Sequence, residues 1–266
     1  MALPTYSAKA ESLQQHFNLR DEAANKAGGQ LAALPDHSGY TKILKSVIKR
    51  DKSGLNRVDY KKLKNHRPAL KAYIDQLSRV KLRTLPRDAQ FSFWANLYNA
   101  LTLKVVEEAY PVATIRDIDI SPGLFANGPW GKKLITIEGK SLSLDDIEHQ
   151  ILRKVFKDPR VHYAVNCASV GCPNLQPEAF TGQRLQQQLE SAAKEFVNSN
   201  QGVSIKNGKI GLSKIYSWFQ KDFGGSEAKV RAHISKYLTA DKAAVFRAAG
   251  QVDDYFYDWT LNDTAR

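Results

Sequence analysis

The chain has 266 residues, 42% of them hydrophobic and 10% aromatic, with a formal net charge of +12. That supplies enough apolar material for one large domain, or for a core with an appendage. No apolar run nears the roughly 20 residues that span a bilayer, so no membrane-crossing helix is expected.

The start, Met1-Ala2-Leu3-Pro4-Thr5-Tyr6-Ser7, has neither a basic n-region nor an apolar h-region. The chain as written reads as soluble. Met1 is equally compatible with a start placed where a signal peptide has been removed. Residues 7–27 read as helical, interrupted after that by Gly28-Gly29 and Pro35. Residues 39–49 carry Ile43, Leu44, Val47 and Ile48 at helical spacing. Lys52-Ser53-Gly54 reads as a turn, and residues 59–82 as two short helices broken near Pro68.

The charge is concentrated in this region. Between Lys42 and Arg83 stand 14 Lys and Arg against Asp51, Asp59 and Asp75, which leaves 25 basic and 24 acidic residues for the rest of the chain. A field of one sign attracts anions. Residues 42–83 are therefore a candidate docking face for an acidic partner: an anionic polymer such as nucleic acid or an acidic polysaccharide, or an anionic membrane surface. The plainer reading is a solvated helical face. Aromatics are few here (Tyr40, Tyr60, Tyr73), and no helix-turn-helix or RNA-binding signature occurs.

The strongest helix spans residues 87–109. Phe91, Trp94, Tyr98, Leu101 and Val105 share one face, Phe93, Leu97 and Leu103 cover the other side, and Pro111 follows the end. A helix apolar nearly all round is buried by the rest of the fold. Asn96 and Asn99 are then buried polar groups that need partners. Either they tie neighbouring loops to the helix, or Asn99 faces a cleft and orients a catalytic group. Leu134-Ile135-Thr136-Ile137 and the residues after Glu138-Gly139 suggest a hairpin. Ser143 with Asp146 has near capping-box spacing and opens a helix carrying Glu148 and His149. Residues 161–166 read as a buried strand and 183–198 as a helix. Residues 203–212 form a hairpin around Asn207-Gly208. Helices at about 227–238 and 241–249 precede a last strand ending at Trp259. No phosphate loop, nucleotide-binding glycine fingerprint or internal repeat occurs, and no cofactor or metal is assigned.

Both cysteines fall in one window, His162-Tyr163-Ala164-Val165-Asn166-Cys167-Ala168-Ser169-Val170-Gly171-Cys172-Pro173. This run resembles the signature of the domain of unknown function 547 (DUF547). Four further stretches agree with it in order: Phe93–Leu101, Ser143–His149, Leu212–Trp218 and Tyr257–Asn262. The resemblance runs from about Tyr40 to Asn262. It implies no defined activity. It does imply a thiol connection, since some eukaryotic relatives are fused to glutaredoxin-like modules. It also implies export or a periplasmic location, since bacterial members commonly carry a signal peptide that this chain lacks; otherwise the protein is cytoplasmic.

Three uses of the cysteines stand open. Cys167 and Cys172 can close a disulfide. Cys167 can be a nucleophile activated by histidine, as in papain-like or transglutaminase-like hydrolases, although those enzymes place the cysteine at the start of the central helix, where this chain has Gln90, Phe91 and Ser92. The thiols can join a histidine on a metal, with a spacing at the wide end for zinc and no second Cys pair. On an extended 161–166, His162 and Cys167 face opposite ways. That favours His149 as the imidazole partner, with Asn99 or Asp258 holding it, because Glu148 points about 100° away around the helix. His162 alone also reads as a core histidine, and Tyr257 and Trp259 as core closure.

The reading is an α+β protein: a buried central helix on a small, mainly antiparallel sheet. Residues 1–85 are a basic helical extension and residues 86–262 the core. The candidate catalytic residues are Cys167, His149, His162, Glu148 and Asn99, in a candidate cysteine-dependent hydrolase or transferase. The alternative is a non-enzymatic module that docks an acidic partner through its basic face and is stapled by a disulfide.

Overall fold

The computed structural model describes residues 13–17, 19, 34–123 and 127–266. The helix expected over 7–27 lies largely outside the described residues. Of that stretch, Leu13, Phe17 and Leu19 are buried in the main core.

Helix α1 (Ser38–Val47) is shorter than its apolar pattern suggests. Ile48–Arg50 is strand β1, paired antiparallel with β2 (Asn56–Val58). The turn between them is organised by Asp51, whose Oδ1 accepts the N–H of Ser53 at 2.8 Å and of Leu55 at 3.1 Å. Hydrogen bonds from the Ser53 hydroxyl and from Arg57 hold that carboxyl well below the usual range. Two helices follow, α2 (Tyr60–Leu63), capped by Asp59, and α3 (Arg67–Leu77), with a 3₁₀ turn between them. Pro68 sits in the first turn of α3, where its missing N–H costs nothing.

Central helix α4 (Arg87–Ala109) matches its periodicity and is buried on nearly every face. Arg67 clamps it from α3, donating Nε at 2.9 Å and Nη2 at 2.7 Å to the buried Glu107 carboxylate. The basic excess of residues 42–83 is partly met in the same way by distant acids, as in the pairs Lys45–Glu178 and Arg50–Glu195.

Beyond α4 come the hairpin β3 (Ile135–Ile137) and β4 (Lys140–Leu142), then a π-helix, Asp146–Phe156. Ser143 and Asp146 cap its start reciprocally. The Ser143 N–H donates to Asp146 Oδ2 at 2.9 Å, and the Asp146 N–H donates to Ser143 Oγ at 3.2 Å. Residues 161–166 are not a strand. Val161–Ala164 is a single helical turn, α5, and the chain becomes extended only at Val165. Asp158 starts the turn by accepting the Arg160 N–H at 2.9 Å, and the Tyr163 and Val165 N–H groups then bond back to Arg160 and Val161. The alternation that would turn His162 away from Cys167 therefore does not exist.

Helix α6 (Leu185–Asn198) leads to the hairpin β5 (Val203–Lys206) and β6 (Lys209–Ser213). Asn207 and Gly208 both take positive φ, 52° and 74°, as a type I′ turn requires. Helices α7 (Lys214–Trp218), α8 (Glu227–Ser235) and α9 (Ala240–Ala248) precede β7 (Asp254–Phe256), which pairs parallel with β6. The fold is α+β, with three small sheets among the described residues, antiparallel apart from β6–β7. One apolar cluster joins α1–α4, the π-helix and β3–β4. A second joins Tyr163, α6, β5–β6 and α8. Among the described residues no helix is long and apolar enough to cross a membrane.

Of the buried histidines His37, His162 and His233, the first and the last are held by tyrosines. His37 Nδ1 and the Tyr73 hydroxyl share a 2.7 Å hydrogen bond, and His233 Nε2 and the Tyr163 hydroxyl share one of 3.0 Å. Burial lowers each imidazole to about 4. In the unfolded chain both titrate near ~6.5, so between those values the unfolded chain binds protons that the folded one refuses. Their stabilisation is full above ~6.5 and lost as pH falls towards 4. We expect the urea midpoint to fall between pH 7 and 4.5, with uptake of about two protons per unfolding event near pH 5 from His37 and His233, to which His162, also lowered by burial, adds. His37→Gln should remove part of the slope; a midpoint flat over this range would contradict the assignment.

Candidate functional site

Two asparagines on α4 act as braces. Asn96 Nδ2 donates to the Phe180 carbonyl at 2.8 Å, and its Oδ1 accepts the Phe180 N–H at 2.9 Å. One turn on, Asn99 Nδ2 donates to the Ala164 carbonyl at 2.9 Å, and its Oδ1 accepts the Asn166 N–H at 2.9 Å. Each side chain thus replaces a backbone ladder for a loop that has none. Asn99 spends both polar atoms on the chain that leads into Cys167 and holds no imidazole.

Asn166 carries the brace forward. Its Oδ1 accepts the Ala168 N–H at 2.8 Å and its Nδ2 donates to the Pro173 carbonyl at 2.7 Å, which folds residues 167–173 into a tight loop. Ala168 sits at φ 61°, a left-handed conformation that costs a non-glycine residue on the order of 1 kcal/mol. The closing segment pairs with this loop through Val170 N–H to Thr260 O and Gly171 N–H to Asp258 O, both 2.8 Å, and Asn262 N–H to Ala168 O, 3.0 Å. A Cβ on Gly171 would lie 2.7 Å from the Asp258 nitrogen, so only glycine lets the two segments approach. The Cys167 window and the Tyr257–Asn262 stretch are one structural unit.

Cys167 and Cys172 lie at bonding distance, as a disulfide. Of the three uses open to the pair, this is the one the structure contains. Among the described residues no group of three or more His, Cys, Asp or Glu could hold a metal ion. Cys172 is buried and Cys167 half-buried. The Cys167 N–H donates to Cys172 Sγ at 3.0 Å. The Tyr257 hydroxyl stands 3.0 Å from Cys167 Sγ, 3.2 Å from Cys172 Sγ and 3.0 Å from the Ser169 hydroxyl, which is itself 2.9 Å from Cys167 Sγ. The sulfurs' polar neighbours are two hydroxyls and an amide rather than an imidazole. Burial pushes the Tyr257 phenol well up, so it stays a neutral donor.

The disulfide forms part of the wall of a cavity of about 440 Å³, within the size range of small-molecule sites. His149, His162 and Glu148 line the same cavity, as do Asp145 and Tyr98. Asn99 stands behind it. The π-helix supplies Glu148 and His149, and Asp145 is the residue just before its start. Its wider i→i+5 turns are rare and occur often at functional sites, and here Asp145, Glu148 and His149 all reach the cavity. Glu148 is buried, and burial together with its charge raises the Tyr98 phenol.

Glu148 does not orient His149, since its Oε1 is 3.8 Å from Nδ1. That role falls to Arg153, one turn on, which donates Nη1–H to His149 Nδ1 at 3.0 Å. Neither Asn99 nor Asp258 holds the ring; Asp258 Oδ1 accepts the Thr260 N–H. Because arginine has no acceptor, Nδ1 must be bare, which leaves the proton on Nε2, 3.6 Å from Asp145 Oδ1. Desolvation at the cavity wall, together with the charge of Glu148, raises the Asp145 carboxyl against the opposing pull of His149.

His162 is held differently. Its ring stacks on Phe219 at 4.2 Å, and its Nε2–H donates to Asp222 Oδ2 at 2.8 Å. Desolvation lowers this imidazole. Asp222 is pushed up by burial, but hydrogen bonds from His162 and Arg153 outweigh that and hold it far below the carboxylate range. His162, Asp222, Arg153 and His149 form one continuous chain. The sequence reading missed Asp222 and Arg153. Arg153 had a signal, since it stands four residues after His149 on a helix; Asp222 had none. Tyr257 and Trp259, expected as core closure, line the cavity beside the exposed Trp218. Tyr257 is 4.8 Å from Trp218 and 4.7 Å from Trp259 between ring centres.

The family model described as "Protein of unknown function, DUF547" matches residues 82–197. Neither a curated protein nor a solved structure matches the chain. The match contains Asn99, Glu148, His149, His162, Cys167 and Cys172, whereas Asp222, Tyr257 and Trp259 lie beyond it. Residues 82–197, from the run-in to α4 to the last turn of α6, are thus a DUF547 domain, which covers less than half of the chain.

Proposed function

We propose that the cavity is the active site of a cysteine-dependent hydrolase or transferase, with Cys167 as the reacting sulfur and the disulfide as its oxidised, resting form. The observation that carries this reading is that Cys167, His149, His162 and Glu148 line one cavity. An external dithiol opens the bridge, taking up two electrons' worth of oxidation as its own disulfide and leaving two thiols. The Cys167 thiol then gives its proton to an imidazole. His162 is the better base: Asp222 fixes its Nε2–H, so Nδ1 is the free acceptor, and burial keeps the ring neutral. This is the orienting role that a buried acid plays for histidine in hydrolytic triads. The Ser169 and Tyr257 hydroxyls, already directed at the sulfur, would stabilise its thiolate. The thiolate adds to an acyl carbonyl and the leaving group departs with the proton. Water or an acceptor nucleophile then releases the acyl group from sulfur. His149, with its proton on Nε2, is placed to donate.

Reduced protein treated with iodoacetamide at pH 6.5 should be labelled at Cys167 at least about tenfold faster than at Cys172, since the thiolate is favoured well below the free value of about 8.5. His162→Ala and Asp222→Asn should slow that labelling about tenfold, and oxidised protein should not be labelled. Equal labelling of the two thiols, or rates unchanged by both substitutions, would defeat the assignment.

The disulfide itself favours a second reading. Cys167–Cys172 would be a permanent staple in a binding module whose face at residues 42–83 docks an acidic partner. Protein that is fully competent while its free-thiol count is zero would select this reading over the first.

A further inference from the structure

The protein carries a net charge of +12, yet no Lys or Arg lines the cavity among the described residues. Two carboxylates do, Asp145 and Glu148. The cations nearest the cavity are committed elsewhere: Arg153 to Asp222 and His149, Lys133 to Asp146, and Arg116 to the Trp259 ring, 5.4 Å from its centre, which leaves Trp218 and Tyr257 as the rings without a cation of their own among the described residues. The cavity is thus an acidic pocket in a basic protein, and a pocket with apolar walls concentrates such a field. A second feature acts with the same sign. Trp218, Tyr257 and Trp259 form a run of aromatic rings along the wall, with neighbouring centres 4.8 and 4.7 Å apart. Aromatic faces attract cations, most strongly where water is excluded.

We propose that the cavity takes an organic cation, a primary or quaternary ammonium group seated between the Asp145 and Glu148 carboxylates and the Trp218–Tyr257–Trp259 wall. As a statement about substrate, an acyl compound bearing such a head, it rests on the thiol reading above. As a statement about binding it does not, because the oxidised protein already holds every group involved.

The test is calorimetric titration of the oxidised protein with choline, with its neutral isostere in which carbon replaces nitrogen, and with the matching carboxylate. Choline should bind at least about tenfold more tightly than the neutral compound, and the anion should not bind. The gain of cation over isostere reflects the cation–aromatic and carboxylate attraction alone. Asp145→Asn, at a half-exposed position, should weaken choline about fivefold and leave the isostere unchanged; Trp218→Ala, at the exposed mouth, should weaken both. A neutral or anionic probe binding as tightly as choline, or choline affinity unmoved by both substitutions, would overturn the proposal. Cation binding with no selective labelling of Cys167 would retire the thiol reading and leave the binding site. Selective labelling without cation preference would do the reverse.

Discussion

Trp94→Ala should destabilise the protein by about 3–5 kcal/mol, the range for emptying a buried aromatic site. Trp94 has no exposed surface and packs on Phe93 at 4.9 Å and Phe17 at 5.2 Å between ring centres. It lies mid-way along α4, with helix on both sides, so the backbone cannot move in to fill the hole. Its indole N–H has no hydrogen-bond partner among the described residues, so truncation forfeits packing there. The same fact separates two substitutions. Trp94→Phe keeps most of the apolar contact and removes an unpaired buried donor, which by itself costs about 1–3 kcal/mol. Its net cost should therefore be well under half that of alanine. Urea midpoints at a constant slope measure both. A midpoint unmoved by Trp94→Ala would mean that α4 is not the centre of the core.

Helix α4 was legible because its signal is local: apolar residues at helical spacing over 23 residues, ended by Pro111. The hairpin at Asn207-Gly208 and the cap at Ser143 were legible for the same reason. The misreadings share a different cause. Val161, Tyr163 and Val165 have the composition of a strand, but no neighbouring strand offers them hydrogen bonds. Asp158 supplies a helical start instead, and Asn99 caps the exit. Ile48 continues the apolar pattern of α1, yet the turn built by Asp51 pairs it with Val58. Of the five residues expected from the sequence, Cys167, His149, His162 and Glu148 line one cavity, and Asn99 instead braces the chain before Cys167. Asp222, which gives His162 its direction, stands sixty residues away in sequence from the ring it holds. A contact at that separation leaves no trace in periodicity or spacing. The widening of the helix that carries Glu148 and His149 is equally invisible, although the i, i+3, i+4 spacing of Asp145, Glu148 and His149 by itself places them on one helix face.

Asn99→Leu should cost about 2–6 kcal/mol, because it strands two buried backbone groups, the Ala164 carbonyl and the Asn166 N–H, at about 1–3 kcal/mol each. The more telling result is what it does to the sulfur. Asn96→Leu strands an equivalent pair on Phe180 and should cost about as much. The two substitutions thus match in chemistry, in helix and in expected loss of stability. They differ in where the loosened loop leads. Phe180 opens towards α6, whereas Asn166 governs residues 167–173, and through them the approach of Ser169 and Tyr257 to Cys167. If the cavity is organised as described, Asn99→Leu should alter the labelling rate of reduced Cys167 several-fold, and Asn96→Leu should leave it at the unsubstituted value under conditions where both variants are folded. Equal effects of the two on labelling would mean that the sulfur responds to global stability and not to its brace. An unchanged midpoint for Asn99→Leu would mean that solvent, not Asn99, satisfies those backbone groups.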